Sequence, residues 1–192
     1  MTASFETNKL DNYEINSETI ALIPVRYGLR VFTQVHEISG TFIVPRKPIE
    51  IIKHSCAYFG STYNGRVLGA QKLLNATHKI PIVVDSATSL YFFPTSSASR
   101  EDCHWISLEL ISRHYPTDLN FTKIVFRNNR TIDFPCSYTI IKNQLLRTAY
   151  LKSKLVQNIE EVLNRSAFRN RTFMVADGNA PYQIPQSDVR PI

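Results

Sequence analysis

The prevailing spacing of apolar side chains changes period near residue 137, and that change limits what this chain can fold into. Before it, apolar and β-branched residues recur at every second position in short runs; after it they recur every third or fourth. A side chain alternates faces in a strand and returns to its own face after about 3.6 residues in a helix. The spacing therefore predicts strands first and one long helix afterwards. Residues 19–23 form an apolar run stopped by Pro24, and residues 29–38 set Val31, Thr33 and Val35 on one side of a pleat. Further short strands are predicted over 41–44, 80–84, 89–93 and 105–112. Two more, 123–126 and 131–134, flank Arg127-Asn128-Asn129-Arg130. Asparagine tolerates positive φ, so this reads as a hairpin with an arginine on each side of its turn.

Two segments carry the helical period. Residues 48–58 open on Pro48, suited to a first helical turn, and then repeat Ile49, Ile52 and Cys56. The second runs from Ser137, an N-cap residue, to about Asn164. Its stripe is Tyr138, Ile141, Leu145, Ala149, Val156, Ile159 and Leu163, broken once by Lys152. Beyond Asn164 the chain turns polar and holds Pro181, Pro185 and Pro191. The expected fold is α+β: a predominantly antiparallel β domain with a long C-terminal helix and a polar tail. Its boundaries are a domain over 1–165 and a tail over 166–192.

With hydrophobic residues at 43% and charged ones at 20%, a chain of 192 residues can bury a core, which argues against wholesale disorder. The formal charge is +6, and it is unevenly spread. In residues 1–24, Lys9 stands against Glu6, Asp11, Glu14 and Glu18. Residues 25–79 hold eight Lys or Arg against Glu37 and Glu50, and residues 113–154 hold eight against Asp118 and Asp133. An acidic stretch with Asp85, Glu101, Asp102 and Glu109 separates the two. Two basic blocks suggest a composite positive face that suits a polyanion, because each cation placed near a phosphate releases a condensed counterion. No apolar run reaches the roughly 20 residues that span a bilayer, and residues 1–6 lack the basic-then-apolar order of a signal peptide. The expected location is the cytoplasm, with no membrane partner.

Two loops offer groups that hold phosphate or enter a groove. In Phe59-Gly60-Ser61-Thr62-Tyr63-Asn64-Gly65-Arg66, glycines frame hydroxyls, a ring and a guanidinium. Pro94-Thr95-Ser96-Ser97-Ala98-Ser99-Arg100 is hydroxyl-rich and ends in arginine. Either composition also suits an ordinary connection. On the long helix, Arg147 and Lys154 share a face, with Leu151 between them and no glutamate four residues before either. The candidate DNA-binding residues are Ser61, Tyr63, Arg66, Arg100, Arg127, Arg130, Arg147 and Lys154. His54, Cys56, Cys103 and His104 are the only zinc ligands to weigh, at a spacing unlike any finger or ribbon. No cysteine–histidine or GxSxG signature is present, so neither enzyme chemistry, a metal nor a cofactor is expected.

Five ordered pieces of the sequence resemble the ComK family of competence regulators. They are Cys56-x-x-Phe59-Gly60-Ser61-Thr62-Tyr63-x-Gly65-Arg66, then His78-Lys79-x-Pro81-Ile82-x-Val84-Asp85, then Phe93-Pro94-Thr95-x-Ser97. Cys103-x-Trp105-Ile106-Ser107 follows, and then Ser137-Tyr138 with Gln144-x-x-Arg147-Thr148-Ala149-x-Leu151. The resemblance implies a transcription activator of DNA-uptake genes that binds paired A/T-rich boxes of double-stranded DNA through the minor groove. It also implies a homodimer with higher assembly on DNA, and turnover by a proteolytic adaptor and an ATP-dependent protease acting on the C-terminal region. The adaptor motif of the family opens Phe-Met, an aliphatic, an aromatic and a proline. Phe173, Met174 and Val175 fit it, whereas Ala176 and Asp177 depart from it. The alternative from another class is a basic protein-interaction module that regulates without touching DNA.

Overall fold

The computed structural model describes the backbone of residues 13–175 and the side chains of residues 13–165. The described chain divides after Leu155 into two units. Its described strands are β1 (Thr19–Tyr27), β2 (Arg30–Glu37), β3 (Thr41–Val44), β4 (Ile82–Asp85), β5 (Leu90–Pro94), β6 (Trp105–Ser107), β7 (Ile111–Asp118), β8 (Phe121–Phe126) and β9 (Thr131–Phe134). The helices are α1 (Pro48–Tyr58), α2 (Tyr63–Leu74) and α3 (Tyr138–Val175). This is the α+β, mainly antiparallel architecture that the change of period predicts.

Six strands make one antiparallel sheet in the order β3-β2-β1-β6-β5-β4, and β7-β8-β9 make a second. Between β3 and β4, α1 and α2 carry the chain from one edge of the large sheet to the other. One face of that sheet buries Leu22, Val35, Val84, Phe92 and Trp105 against Ile51, Ile52 and Cys56 of α1. The opposite side brings Ile20, Phe93 and Ile106 together with Ile124, Phe126 and Phe134 of the small sheet and Ile141 of α3. Each cluster removes several large side chains from water, at about 1.5–3 kcal/mol each. These two clusters hold the first unit together.

Local chemistry explains α1 well. Pro48 sits in its first turn, and the Glu50 carboxylate accepts from the Lys47 N–H at 3.0 Å. The hairpin between β8 and β9 also forms, with Asn129 at φ 62. In four places the structure departs from the period-based reading. Pro24 lies inside β1 rather than ending it; beyond Leu22 that strand is bonded to β2 alone, so a residue without an N–H fits its free side. The run over 105–112 is two strands, because a turn at residues 108–110 takes the chain from the large sheet to the small one. The loop expected over 59–66 is shorter: only residues 59–62 turn between two helices, and 63–66 open α2; Gly60 takes φ +68 after α1, and Thr62 caps α2 by accepting from the Gly65 N–H. Finally, α3 continues to Val175, past Asn164. Its buried stripe in the first unit is Ile141, Gln144, Thr148 and Leu151, while Ala149 is exposed. Gln144 is accommodated because its amide donates to the Lys79 and Pro94 carbonyls at 3.0 and 2.7 Å. No helix among the described residues is long and apolar enough to cross a membrane.

Candidate nucleic-acid interface

Strands β1 and β2 outrun their neighbours. The pairing of β1 with β6 covers only Ala21 and Leu22, and that of β2 with β3 covers Thr33 to His36. Residues 25–27 and 30–32 therefore form a two-stranded ribbon bonded only to itself, in the pairs Val25–Phe32, Arg26–Val31 and Tyr27–Arg30. Gly28 and Leu29 close it. Gly28 stands at φ +59, which a tight two-residue hairpin loop requires and which glycine adopts without a Cβ clash. Alternation then sets Arg26 on one face of the ribbon and Tyr27, Arg30 and Phe32 on the other. Tyr27 stacks on Phe32 with ring centroids 5.4 Å apart and planes 12° apart. Leu29, at the tip, is fully exposed.

The ribbon rises from a basic end of the sheet. Glu101 lies between two cations, with Lys47 Nζ at 2.9 Å and Arg26 Nη2 at 3.8 Å. Arg100 donates to the Asp102 carboxylate from Nε at 2.8 Å and from Nη2 at 2.6 Å. The hydrogen bond from Lys47 holds the Glu101 carboxyl below the usual range, and the one from Arg100 does the same for Asp102. All three cations are exposed or nearly so, and exposed ion pairs are weak in water, so a phosphate can displace a carboxylate at little cost. Arg30 is exposed and carries no acidic partner among the described residues.

Beside this end runs an open groove of about 650 Å³. Its wall includes Lys79, Ser96, Ser97, Arg100, Asn120 and Ser137. It shares Asp102 and His104 with a smaller hollow of about 160 Å³ against Pro24, Arg26 and Val31 of the ribbon. Ser137 stands at the start of α3, where its carbonyl accepts from the Ile140 and Ile141 N–H groups. Hydroxyls, an amide and two cations along an open groove are the donors that track a sugar–phosphate backbone.

The residues singled out from the sequence are spread over the first unit. Arg100 lines the groove, and Arg127 is exposed beside the β8–β9 turn. Arg147 gives one N–H to the His78 carbonyl at 2.9 Å, next to Lys79, and Lys154 lies 5.6 Å from the centre of the Tyr150 ring. Arg130 is a tie within the fold: Nη1 donates to the Glu37 and Gly40 carbonyls and to Thr41 Oγ1 at 2.9–3.0 Å. Ser61 turns the chain between α1 and α2. Tyr63 packs on the core beneath α1, where burial pushes its phenol up to about 12. Arg66 reaches the Val84 carbonyl at 3.4 Å with its Nε buried. That leaves the exposed face of α2 with Asn64, Leu68 and Lys72, a single cation. Phe173, Met174 and Val175 end α3, and their side chains lie outside the described residues.

The four residues weighed for zinc have other engagements. His54 faces Glu14 at 2.9 Å, and Cys56 is buried in the first core, where burial pushes its thiol up to about 11. Cys103 donates weakly to the Ser96 carbonyl, and the His104 ring meets Phe134 edge-on. Among the described residues no three His, Cys, Asp or Glu side chains converge on a metal position. The arm residues Arg26, Leu29 and Arg30 were not singled out from the sequence. The signal was Arg26-Tyr27-Gly28-Leu29-Arg30, a glycine between apolar runs with an arginine on either side.

No solved structure matches the chain. The competence transcription factor of Bacillus subtilis (strain 168) is 35% identical over 174 residues, which span 88% of this chain and 91% of that protein. The family model described as ComK protein matches residues 10–160, a range that takes in the ribbon, both sheets and the start of α3. The chain belongs to the ComK family.

Proposed function

We propose that this chain is a competence transcription activator that binds paired A/T-rich boxes of double-stranded DNA, entering the minor groove with the β1–β2 ribbon. The observation that carries this reading is the ribbon itself, with Arg26 and Arg30 on opposite faces and no neighbouring strand to cover them. A narrow A/T-rich minor groove concentrates negative potential and draws in arginines. The groove with Lys79, Ser96, Ser97 and Arg100 then follows the phosphates, with Arg127, Arg147 and Lys154 as outlying backbone contacts. Ser61 and Tyr63 are left to position α2, and Arg66 and Arg130 to hold the frame. The protein works in the cytoplasm on the nucleoid, without a catalytic step.

A homodimer, assembling further on the promoter, fits the second unit. There Val156, Ile159 and Leu163 are exposed at helical spacing on α3, an apolar stripe of the kind that pairs helices. The C-terminal residues, Phe173, Met174 and Val175 among them, are proposed to meet a proteolytic adaptor and its ATP-dependent protease.

The test is a titration with three duplexes at two salt concentrations: A/T-rich, G/C-rich, and one with inosine·cytosine in place of adenine·thymine. An inosine·cytosine pair keeps the minor-groove face of A·T and changes the major-groove face. Tight binding to the first and third, with a steep salt slope, is the expected result. Arg26→Ala and Arg30→Ala should each cost about 1–3 kcal/mol on those two duplexes. Binding that follows the major-groove face would overturn the groove assignment. No binding to any duplex would favour a protein-interaction module.

A further inference from the structure

We infer that Leu29 is an apolar wedge which enters a base-pair step and partly unstacks it, so that the duplex is kinked where the ribbon arrives. This rests on the DNA-binding reading above. A leucine at a hairpin tip is ordinarily a weak observation, since single exposed apolar residues are common. Four features of this one make it specific.

The loop is as short as a hairpin allows: Tyr27 pairs with Arg30, and only Gly28 and Leu29 lie between them. Nothing stands within 4 Å of the position a Cβ on Gly28 would take, so the tip is slim and unencumbered. The arm behind the tip is braced, because the Tyr27 and Phe32 rings are stacked across its two strands. A wedge has to be held stiffly, or base stacking pushes it aside. The charges suit a polyanion and no other surface: Arg26 and Arg30 leave the ribbon on opposite faces, one toward each side of a groove. An apolar protein patch would have to bury both guanidiniums to reach Leu29. A duplex offers phosphates to the arginines and an apolar, stacked interior to the leucine. Side chains that open a step in this way bend DNA away from the groove they enter, at a cost in stacking that A/T-rich pyrimidine–purine steps keep small.

The experiment uses the full chain and an A/T-rich duplex in which one adenine is replaced by a fluorescent analogue whose emission rises on unstacking. The analogue is moved step by step through the site, and bending is read on the same duplexes by end-to-end energy transfer. Wild-type protein is expected to raise emission at one step and to shorten the end-to-end distance. Leu29→Ala should abolish most of both signals while weakening binding by less than about tenfold, since phosphate contacts supply most of the affinity. Leu29→Met, which keeps a long apolar tip, should retain them. Because Leu29 is fully exposed, neither variant endangers folding. If wild-type protein binds but raises emission at no step, or if Leu29→Ala unstacks and bends as well as wild type, the wedge is overturned and the DNA reading stands. If wild-type protein binds no duplex, both are overturned.

Discussion

At the scale of single residues, the guanidiniums of this protein divide into those that hold the fold and those that face outward. Arg130 belongs to the first group. One nitrogen of its side chain reaches two carbonyls and a hydroxyl of the β2–β3 turn, and Asn128 adds a bond to the Ile38 carbonyl at 3.3 Å. Beside that turn, in β2, His36 pairs with Thr41, and its imidazole is pushed down to about 4 by burial first and by Arg130 second. A histidine depressed in the folded state is neutral there while the unfolded chain takes up a proton. Its contribution is therefore complete above the ordinary value near 6.5 and is lost as the pH falls toward 4. Arg130→Ala should lower stability by about 1–3 kcal/mol, because it strands carbonyls that are partly buried. It should also raise the His36 value, though not to that of a free imidazole, since burial remains. Urea unfolding at several pH values, with the His36 ring followed by NMR, checks both. An unchanged midpoint and an unchanged titration would show that the tie contributes nothing.

Elements show how a local pattern is reinterpreted by its surroundings. Helix α2 carries Gly65 and Gly69, each costing a helix interior about 1 kcal/mol, and only Ala70 is fully buried along it. Its hydrophobic pattern is too faint to read. It forms because Val67, Ala70, Leu73 and Leu74 meet the nearby Ile80 and, remote in sequence, Leu151 and Leu155. Helix α3 is the reverse case, since its period is plain but the face it buries is not. Leu151 is fully covered, while Ile159 and Leu163 stand in water. If the exposed stripe on the second unit pairs two copies, Ile159→Glu should convert dimer to monomer by sedimentation without changing thermal stability. Loss of avidity on paired boxes should follow, with affinity for a single box retained. An unchanged sedimentation coefficient would place the dimer contact elsewhere.

For the whole molecule, the boundary of the folded DNA-binding unit can be tested directly. A chain ending at Asn164 keeps Leu151 and Leu155, the α3 residues that pack on α2, and the exposed stripe as well. It should unfold cooperatively, bind the A/T-rich duplex within about threefold of the full chain, and resist degradation by an adaptor and protease that turn the full chain over. Unfolding of the truncated chain would make residues 165–192 structural, and equal half-lives would move the adaptor contact to residues before 165. Much of this molecule was legible beforehand. The change of period near Ser137 determined an antiparallel α+β fold with a long final helix, because backbone geometry alone decides which side chains share a face. Pro48, and Asn128 with Asn129, likewise specified their own helix start and turn, since the geometry involved spans a few residues. The site was another matter. Whether an arginine holds a carbonyl, as Arg130 does with Glu37 ninety-three residues away, or stands free at the end of an uncovered ribbon, as Arg30 does, depends on how other segments pair around it. The same holds for Pro24, tolerated where β6 stops short, and for Gln144, buried because two distant carbonyls receive its amide. Exposure and partnership are properties of the assembled layers, so only the tertiary structure decided which of the basic residues face outward.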